Sequence, residues 1–168
     1  MSKKRRKTLP GSIKLESERK LRKWEEVSFE TSGPWSTKSS RDNRYYAAFV
    51  DHKDGFKNNY TTYKKETCSD SVSEFCYKDW LLAKKILYSD VAGEFISRVF
   101  KTMFLAQGCN HIIVPKGDHH AIGKSESAVA EIDKMTRVTV HDATLPFNVW
   151  DFVVCHDTCR FYDHECHR

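Results

Sequence analysis

The apolar and polar positions that follow residue 44 first predict strands. Tyr45–Val50 is an aromatic and apolar run, and Tyr60–Tyr63 contains the β-branched residues Thr61 and Thr62. Asp54-Gly55 lies between the two runs and favours a turn, because both residue types tolerate turn backbone conformations. We therefore predict two strands, one on each side of this turn.

The middle of the chain changes to a helical spacing. Apolar residues recur there at i, i+4, i+7 and i+11, which is the spacing of one helix face. These residues are Cys76, Trp80, Ala83 and Leu87. Ser71 and Glu74 precede most of them at capping-box spacing and predict where the helix begins. A second helix is predicted from Asp90, as its N-cap, to Gly108, since glycine adopts the left-handed conformation of a helix end at little cost.

The last part of the chain predicts strands with one short helix among them. Ile112–Val114 is a short apolar run, and Ser125–Lys134 has the spacing of a short helix. Arg137–Leu145 alternates apolar and polar residues, and Phe147–Cys155 is a nearly continuous apolar run of the kind found in central strands. The order β-β-α-α-β-(α)-β-β predicts an α+β fold, with a small mixed sheet packed on a central helical pair.

The N-terminal residues predict an arm and a linker. Leu21, Trp24 and Val27 recur at three-residue spacing, which predicts a short amphipathic helix within residues 13–28. Residues 30–44 are rich in Ser, Thr and Gly, which is typical of linkers. The expected organisation is a basic arm over residues 1–29, a linker over 30–44, and a domain over 45–168 that ends in a Cys/His-rich tail.

The net charge of +5 over 168 residues conceals two parts of opposite sign. Residues 1–23 contain ten Lys and Arg against two Glu, which gives +8 and leaves −3 for residues 24–168. A charge block of this kind is typical of an interaction arm. The cations expected to serve nuclear import or phosphate contact are Lys3, Lys4, Arg5, Arg6, Lys7, Arg19, Lys20, Arg22 and Lys23.

This basic run also predicts where the protein works. Dense Lys and Arg pair with the acidic groove of a nuclear import receptor or with the phosphates of nucleic acid. No apolar segment follows the run, so no secretory signal is expected, and no stretch approaches the roughly 18 apolar residues of a membrane span. We expect nuclear localisation, with an import receptor and nucleic acid as partners and no membrane. Nucleic-acid binding through the arm should weaken steeply with salt.

The C-terminal residues carry a pattern of metal ligands. Three of the six Cys and three of the eight His lie within residues 155–168. Thiolate and imidazole are the ligands that Zn²⁺ selects, and four of them close a tetrahedral site. The candidate ligands of a structural zinc are Cys155, Cys159, His164 and Cys166.

A buried thiol at the end of a strand, followed by a polar tail, is the alternative interpretation of Cys155. In a strand, Cys155 and Cys159 would lie ~13 Å apart. A shared metal therefore requires a turn near Asp157.

Short motifs favour a binding protein over an enzyme. The sequence contains no Walker loop, Gly-x-Ser-x-Gly, His-Glu-x-x-His or Gly-x-Gly-x-x-Gly. We therefore expect a small nuclear nucleic-acid-binding or regulatory accessory protein. A small capsid or packaging protein that assembles into homo-oligomers is the second hypothesis. A metal-dependent nuclease or hydrolase that uses scattered histidines is the third.

The layout of a basic head, a small body and a Cys/His-rich end resembles the accessory nuclear proteins of small DNA viruses. Trp80-Leu81-Leu82 is the one stretch of sequence that supports this resemblance. It implies a viral accessory role, and it adds no site residues to those named above.

Overall fold

The α+β fold class predicted from the sequence is confirmed by a computed structural model, which describes residues 21–78, 85–90, 102, 104–106, 108–115 and 119–159. Five strands form one mixed sheet. They are β1 (Glu26–Ser32), β2 (Tyr45–Asp51), β3 (Lys57–Thr62), β4 (Lys85–Ser89) and β5 (Cys109–Ile113). The helices that pack on the sheet are α1 (Cys68–Lys78), α2 (His119–Asp142) and α3 (Trp150–Cys159), the last preceded by a short 3-10 helix at Phe147–Val149.

The strand order is β3-β2-β1-β4-β5, so β1 lies at the centre of the sheet. It pairs antiparallel with β2 on one side and parallel with β4 on the other. The register on both sides is defined by Ser28, which lies opposite Val50 in β2 and opposite Tyr88 in β4. β5 pairs parallel with β4. The carboxyl ends of β1, β4 and β5 therefore meet at one edge of the sheet.

One face of the sheet packs against α1. Val27 and Phe29 point to this face from β1 and are almost fully buried, as are Phe49 and Phe75. The rings of Phe49 and Phe75 stack with centroids 4.2 Å apart. Burying side chains of this size stabilises the fold by about 1.5–3 kcal/mol each, and these contacts fix α1 on the sheet.

The opposite face is covered by α2 and α3. Every third or fourth residue of α2 is buried, including Ile122, Ile132 and Val140, which is the spacing of one helix face. Trp150 of α3 lies in the same core as Ile132 and donates a hydrogen bond from Nε1 to the Thr37 carbonyl, at 2.9 Å. Within the described ranges, no helix is both long and apolar enough to cross a membrane.

The N-terminal part of the sheet differs from the sequence prediction. Residues 26–28, expected to end an amphipathic helix, begin β1, and Trp24 just before them has a positive φ of 60° that no α-helix accommodates. The first residues of the expected linker, 30–32, complete the same strand. Cross-strand partners on both sides override the weak helical spacing here. The folded unit therefore begins well before residue 45.

The rest of the expected linker is packed on the domain. The Trp35 ring stacks on Trp150 at 4.7 Å and is almost fully buried. Ser and Thr in this segment serve turns and hydrogen bonds rather than flexibility, as when the Ser39 hydroxyl accepts hydrogen bonds from two nearby backbone amides.

Two predicted strands near the C-terminus are helical. Residues 137–142 continue α2, and the apolar run from Phe147 forms the 3-10 helix and α3. Val153 and Val154 are buried whereas Phe152 is half exposed, so this apolar run packs through one helix face. The β-branched residues near Val140 suggested alternation, but the helix buries Val140 and leaves Val138 exposed.

The middle of the chain matches the prediction in part. α1 begins at Cys68, so Ser71 and Glu74 lie inside the helix and do not form its N-terminal cap. Leu87 lies in β4 rather than on a helix face. Most of the second predicted helix lies outside the described residues, although Gly108 at its expected end does adopt a positive φ of 67°. The strand expected at Ile112–Val114 begins three residues earlier, as β5.

Candidate active site

The central strand carries acidic and polar side chains on the face covered by α2. Side chains alternate between the two faces of a strand. Val27 and Phe29 point into the α1 core, so Ser28, Glu30 and Ser32 point to the α2 side. A charged residue in the centre of a sheet costs free energy unless a partner compensates it. Glu30, which is half buried, is therefore a candidate functional group.

Asp90 lies beside Glu30 on the neighbouring strand end. β1 and β4 are parallel, with Ser28 opposite Tyr88. Counting two residues on in both strands brings Glu30 opposite Asp90, on the same face. Neighbouring strands in a sheet lie roughly 4.8 Å apart. The two carboxylates therefore project from adjacent positions at the carboxyl-end edge of the sheet.

A third carboxylate comes from α2. Glu126 lies one turn after the buried Ile122 and one turn before Val129, which packs against the core around Trp150, between the sheet and α2. Glu126 is thus at the border of the buried stripe, with its side chain exposed. The packing of α2 across β1 brings this carboxylate towards Glu30.

The pKa of Glu30 records the proximity of these groups. Burial is the main cause that raises this pKa, and the negative charges of Asp90 and then Glu126 raise it further, to about 7. A hydrogen bond with the Thr31 backbone and the charge of Lys65 act in the opposite direction but do not cancel the effect. We call Glu30, Asp90 and Glu126 the acidic cluster. The carboxylates of this cluster repel one another when ionised, and a bound cation would relieve that repulsion.

The donor set of the acidic cluster fits a hard divalent cation. Carboxylate oxygens are the ligands that Mg²⁺ and Mn²⁺ prefer, whereas Zn²⁺ sites are richer in Cys and His. As the side chains stand, no three His, Cys, Asp or Glu among the described residues are close enough together to coordinate one ion. The carboxylates are near enough to interact electrostatically, and coordination would require them to move closer together.

A hydrogen-bond network fixes the end of β1 against α2 next to the cluster. The Ser32 hydroxyl donates to the Asp133 carboxylate, with both oxygens at 3.2 Å, and the Tyr46 hydroxyl donates to Asp133 Oδ1 at 2.8 Å. Ser32 is two residues after Glu30, and Asp133 is two helical turns after Glu126. The network therefore holds the two elements that carry Glu30 and Glu126 in one arrangement.

A second polar group lies at the start of β1. The ring of His52 stacks on Tyr88 with centroids 5.2 Å apart, and its Nδ1 lies 3.8 Å from a carboxylate oxygen of Glu26. Burial, and then the charge of Lys124, lower the pKa of His52 to about 4. Its Nε2 is buried with no hydrogen-bond partner in the described part of the chain. His52 is therefore neutral at physiological pH and acts as a packing residue.

The cations predicted for import or phosphate contact fall mostly outside the described residues. Lys3, Lys4, Arg5, Arg6, Lys7, Arg19 and Lys20 all do so. The Arg22 backbone amide donates to the Glu25 carboxylate at 2.9 Å, and the Lys23 ammonium lies 4.4 Å from the centroid of the Phe56 ring. Lys23 is thus in contact with the domain surface.

The predicted zinc ligands are only partly described. His164 and Cys166 lie outside the described residues, while Cys155 and Cys159 both belong to α3. Because residues i and i+4 of a helix share a face, the separation of ~13 Å expected for a strand does not apply. Burial raises the pKa of the half-buried Cys155 thiol, and contact with Arg41 opposes this. The zinc site stays a prediction.

Sequence reasoning missed the acidic cluster. Glu30 falls in the predicted linker, Asp90 is the predicted N-cap of a helix, and Glu126 falls within the short helix predicted over Ser125–Lys134. The available signal was an acidic residue directly after the apolar run that ends in Ser89, which is where parallel strands place functional side chains. The other two positions depend on tertiary packing, and no short motif marks them.

Comparison with known proteins shows the fold alone. No protein-family model matches the chain, and no curated protein matches it. The structure is similar to a chain in the cryo-EM structure of the simian T-cell lymphotropic virus intasome in complex with PP2A regulatory subunit B56 gamma, with a TM-score of 0.62 and 11% sequence identity. The match covers 78% of this chain and 47% of that chain, so the protein spans about half the length of its structural neighbour.

Proposed function

We propose that the protein is a metal-dependent phosphoryl-transfer enzyme that acts on nucleic acid, as a nuclease. The single observation that carries this proposal is the acidic cluster. Three carboxylates from separate elements lie near one another on one face of the sheet, and burial, followed by the charges of Asp90 and Glu126, raises the pKa of Glu30 to about 7. Carboxylates that only solvate a protein surface need not lie close together. Divalent-ion sites for phosphoryl transfer do require several neighbouring carboxylates.

Each residue of the cluster has a defined part in this proposal. Glu30 and Asp90 would hold a Mg²⁺ or Mn²⁺ ion from adjacent strand ends, and Glu126 would complete the set from α2. When bound, the ion supplies Lewis-acid activation of the phosphate and lowers the pKa of a bound water. Glu30 is deprotonated above its pKa of about 7, so ion binding should strengthen as the pH rises through 7.

Two further observations support nucleic acid as the substrate. The +8 charge of residues 1–23 suits sequence-independent contact with phosphates. The structural neighbour belongs to a viral intasome structure, and the shared fold adds support by analogy alone. The third hypothesis from the sequence, a metal-dependent nuclease, thus gains support, although through carboxylates rather than histidines.

The test is cleavage of labelled single- and double-stranded DNA and RNA by the full chain, with Mg²⁺, Mn²⁺ or EDTA. Glu30→Gln, Asp90→Asn and Glu126→Gln keep the size of each side chain and remove its charge. Each should lower the cleavage rate by roughly a hundredfold or more, in line with the loss of a metal ligand. Glu131→Gln is the matched control, because Glu131 is an exposed residue of the same helix that pairs with Lys57.

Metal-dependent cleavage that depends on the three cluster residues and tolerates Glu131→Gln would support the proposal. Absence of cleavage with every substrate and metal would overturn it. Cleavage that persists unchanged in all three cluster variants would do the same, since the activity would then belong to another site or to a contaminant.

The basic arm supports a second, compatible proposal of nuclear import and nucleic-acid binding. Residues 1–20 carry eight of the ten Lys and Arg of residues 1–23 and precede the first strand by several residues. Such an arm could engage an import receptor or guide nucleic acid to the domain. A structural zinc held by Cys155, Cys159, His164 and Cys166 is a further proposal, supported by the i, i+4 spacing of the two thiols in α3.

A further inference from the structure

A polar cleft of about 460 Å³ lies at the end of β1, beside the acidic cluster. Its volume is within the range of small-molecule sites. The residues that line it include Ser32, Gly33, Trp35, Asp133, Arg137 and Phe147. Ser32 is two residues beyond Glu30 on the same face of β1, a distance of about 7 Å along a strand. A nucleic-acid strand held at the acidic cluster would therefore bring a neighbouring nucleotide to the cleft.

Asp133 is a hydrogen-bond acceptor with unused capacity. An ionised carboxylate offers about four lone-pair sites. Only two hydroxyl hydrogens, from Ser32 and Tyr46, are donated to this one. No Lys, Arg or His among the described residues lies within ion-pair distance of it. About two acceptor sites on Asp133 are thus available to a ligand in the cleft, and the two hydroxyls fix their orientation.

The walls of the cleft combine a cation with aromatic surface. The Arg137 guanidinium lies 5.3 Å from the centroid of the Trp35 ring, one helical turn after Asp133. The Phe147 ring also lines the cleft, with its centroid 5.7 Å from that of Trp35. Gly33 also lines the cleft, and a Cβ there would lie 2.6 Å from the Arg44 carbonyl oxygen, so glycine allows the chain after β1 to pass close to the residue before β2.

We propose that this cleft binds an unpaired guanine base of the nucleic-acid substrate, which rests on the proposed function. Guanine presents two adjacent donors on its Watson–Crick edge, N1–H and the N2 amine, which match the two free acceptor sites of Asp133. Flipped or single-stranded bases are recognised through this edge and by contact with apolar or aromatic surface. Phe147 supplies the aromatic surface, and Arg137 supplies charge for the adjacent phosphate.

The other bases fit Asp133 less well. Adenine and cytosine place a ring-nitrogen acceptor next to their single amine, and thymine and uracil flank one N–H with two carbonyl oxygens. Each of these acceptors would face the carboxylate and repel it. The expected discrimination is therefore for guanine over all other bases, and its source is the N2 amine together with N1–H.

The experiment measures binding rather than catalysis. The full chain is titrated, in EDTA to prevent cleavage, with fluorescent single-stranded oligothymidylates that carry one central guanine, hypoxanthine or adenine. Hypoxanthine keeps N1–H but lacks the N2 amine. We expect the guanine oligonucleotide to bind about tenfold more tightly than the hypoxanthine one, which is the usual value of one base-specific contact. The adenine oligonucleotide should bind no more tightly than the hypoxanthine one.

Asp133→Asn should remove this preference. The asparagine side chain still accepts from Ser32 and Tyr46, but its amide presents a donor in place of an acceptor. Asp142→Asn, an exposed change near the end of the same helix, should keep the preference. Equal affinity of the wild-type protein for guanine and hypoxanthine would overturn the inference, and so would an unchanged preference in Asp133→Asn.

These outcomes separate the inference from the proposed function. Metal-dependent cleavage without guanine preference would overturn the cleft assignment alone. Failure to bind or cleave any nucleic acid would overturn the function first, and the cleft assignment with it.

Discussion

Glu30 and Asp90 project side by side from the ends of two parallel strands, and the charge of Asp90 helps to raise the pKa of Glu30. The two residues are 60 positions apart in the sequence and meet because β1 and β4 are neighbours in the centre of the sheet. Burial and the nearby carboxylates both disfavour the ionised form of Glu30, and a bound cation would offset these effects. Divalent-ion binding is the role that we propose for these two carboxylates.

The raised pKa of Glu30 predicts how the stability of the protein depends on pH. The pKa of Glu30 is raised from 4.5 to about 7 on folding, so between these values the folded protein retains a proton that the unfolded chain has lost. The contribution of Glu30 to stability should therefore be highest below pH 4.5 and should fall as the pH rises to 7. Glu30→Gln should stabilise the protein at pH 8 by on the order of 1 kcal/mol, after allowance for solvent screening.

Urea unfolding of both proteins at pH 5 and pH 8 measures this effect. The variant should gain stability relative to wild type only at the higher pH. An identical difference at both pH values would show that Glu30 does not titrate between them.

The lowered pKa of His52 predicts the opposite dependence of stability on pH. Its pKa is lowered from 6.5 to about 4, so the unfolded chain takes up a proton below pH 6.5 that the folded protein does not. Its contribution to stability should be complete above pH 6.5 and should be lost as the pH falls to 4. His52→Phe keeps the stacking on Tyr88 and should flatten this acid-side loss, as measured by urea unfolding at pH 4.5 and 6.5. An unaltered acid dependence in the variant would assign the loss to other groups.

Asp151 predicts a large loss of stability on truncation. It is fully buried and accepts hydrogen bonds from Arg41 Nε at 2.8 Å and Asn43 Nδ2 at 3.0 Å. Burial alone would raise its pKa, but these hydrogen bonds and the Arg41 charge hold it below its usual range. Asp151→Ala should therefore cost about 1.5–3 kcal/mol, because it removes the hydrogen bonds that the exposed Arg41 and the half-buried Asn43 donate to a buried carboxylate.

Asp42→Ala is the control for Asp151→Ala in thermal and urea unfolding. Asp42 forms an exposed ion pair with Lys38, and such pairs contribute only about 0–1 kcal/mol. If the two variants lost the same amount of stability, the segment after β1 would not be anchored through Asp151.

The basic arm predicts a separable activity. Deleting residues 2–20 leaves Trp24 and β1 intact and should therefore preserve the melting temperature. The deletion should abolish nuclear accumulation of a fluorescent fusion and reduce the salt dependence of nucleic-acid binding, because we propose that the arm makes most of the phosphate contacts. Unchanged import and an unchanged salt slope would remove both roles from the arm.

The α+β class could be predicted from sequence because its signals were local. Tyr45–Val50 has the composition of a strand, and it forms β2 almost as expected. The pairing of β1 could not be predicted, since Glu26–Ser32 is half polar and becomes a strand only between β2 and β4. Phe147–Cys155 shows the opposite failure, because a continuous apolar run fits a buried helix as well as a buried strand.

The acidic cluster could not be predicted for the same reason. No spacing links Glu30, Asp90 and Glu126 in the sequence, and only the order of the strands and the path of α2 bring them together. The basic arm and the terminal Cys and His residues were easier to detect because they are contiguous. Composition therefore predicts functional residues at the ends of the chain and does not predict those in its centre.

Binding of Mn²⁺ at pH 7.5, followed by the electron paramagnetic resonance signal of the free ion, tests the acidic cluster most directly. The wild-type protein should bind Mn²⁺, and Glu30→Gln, Asp90→Asn and Glu126→Gln should each weaken the binding by tenfold or more, while Glu131→Gln should leave it unchanged. Binding that is absent in the wild type, or equal in all five proteins, would contradict the assignment of a metal site to these three carboxylates.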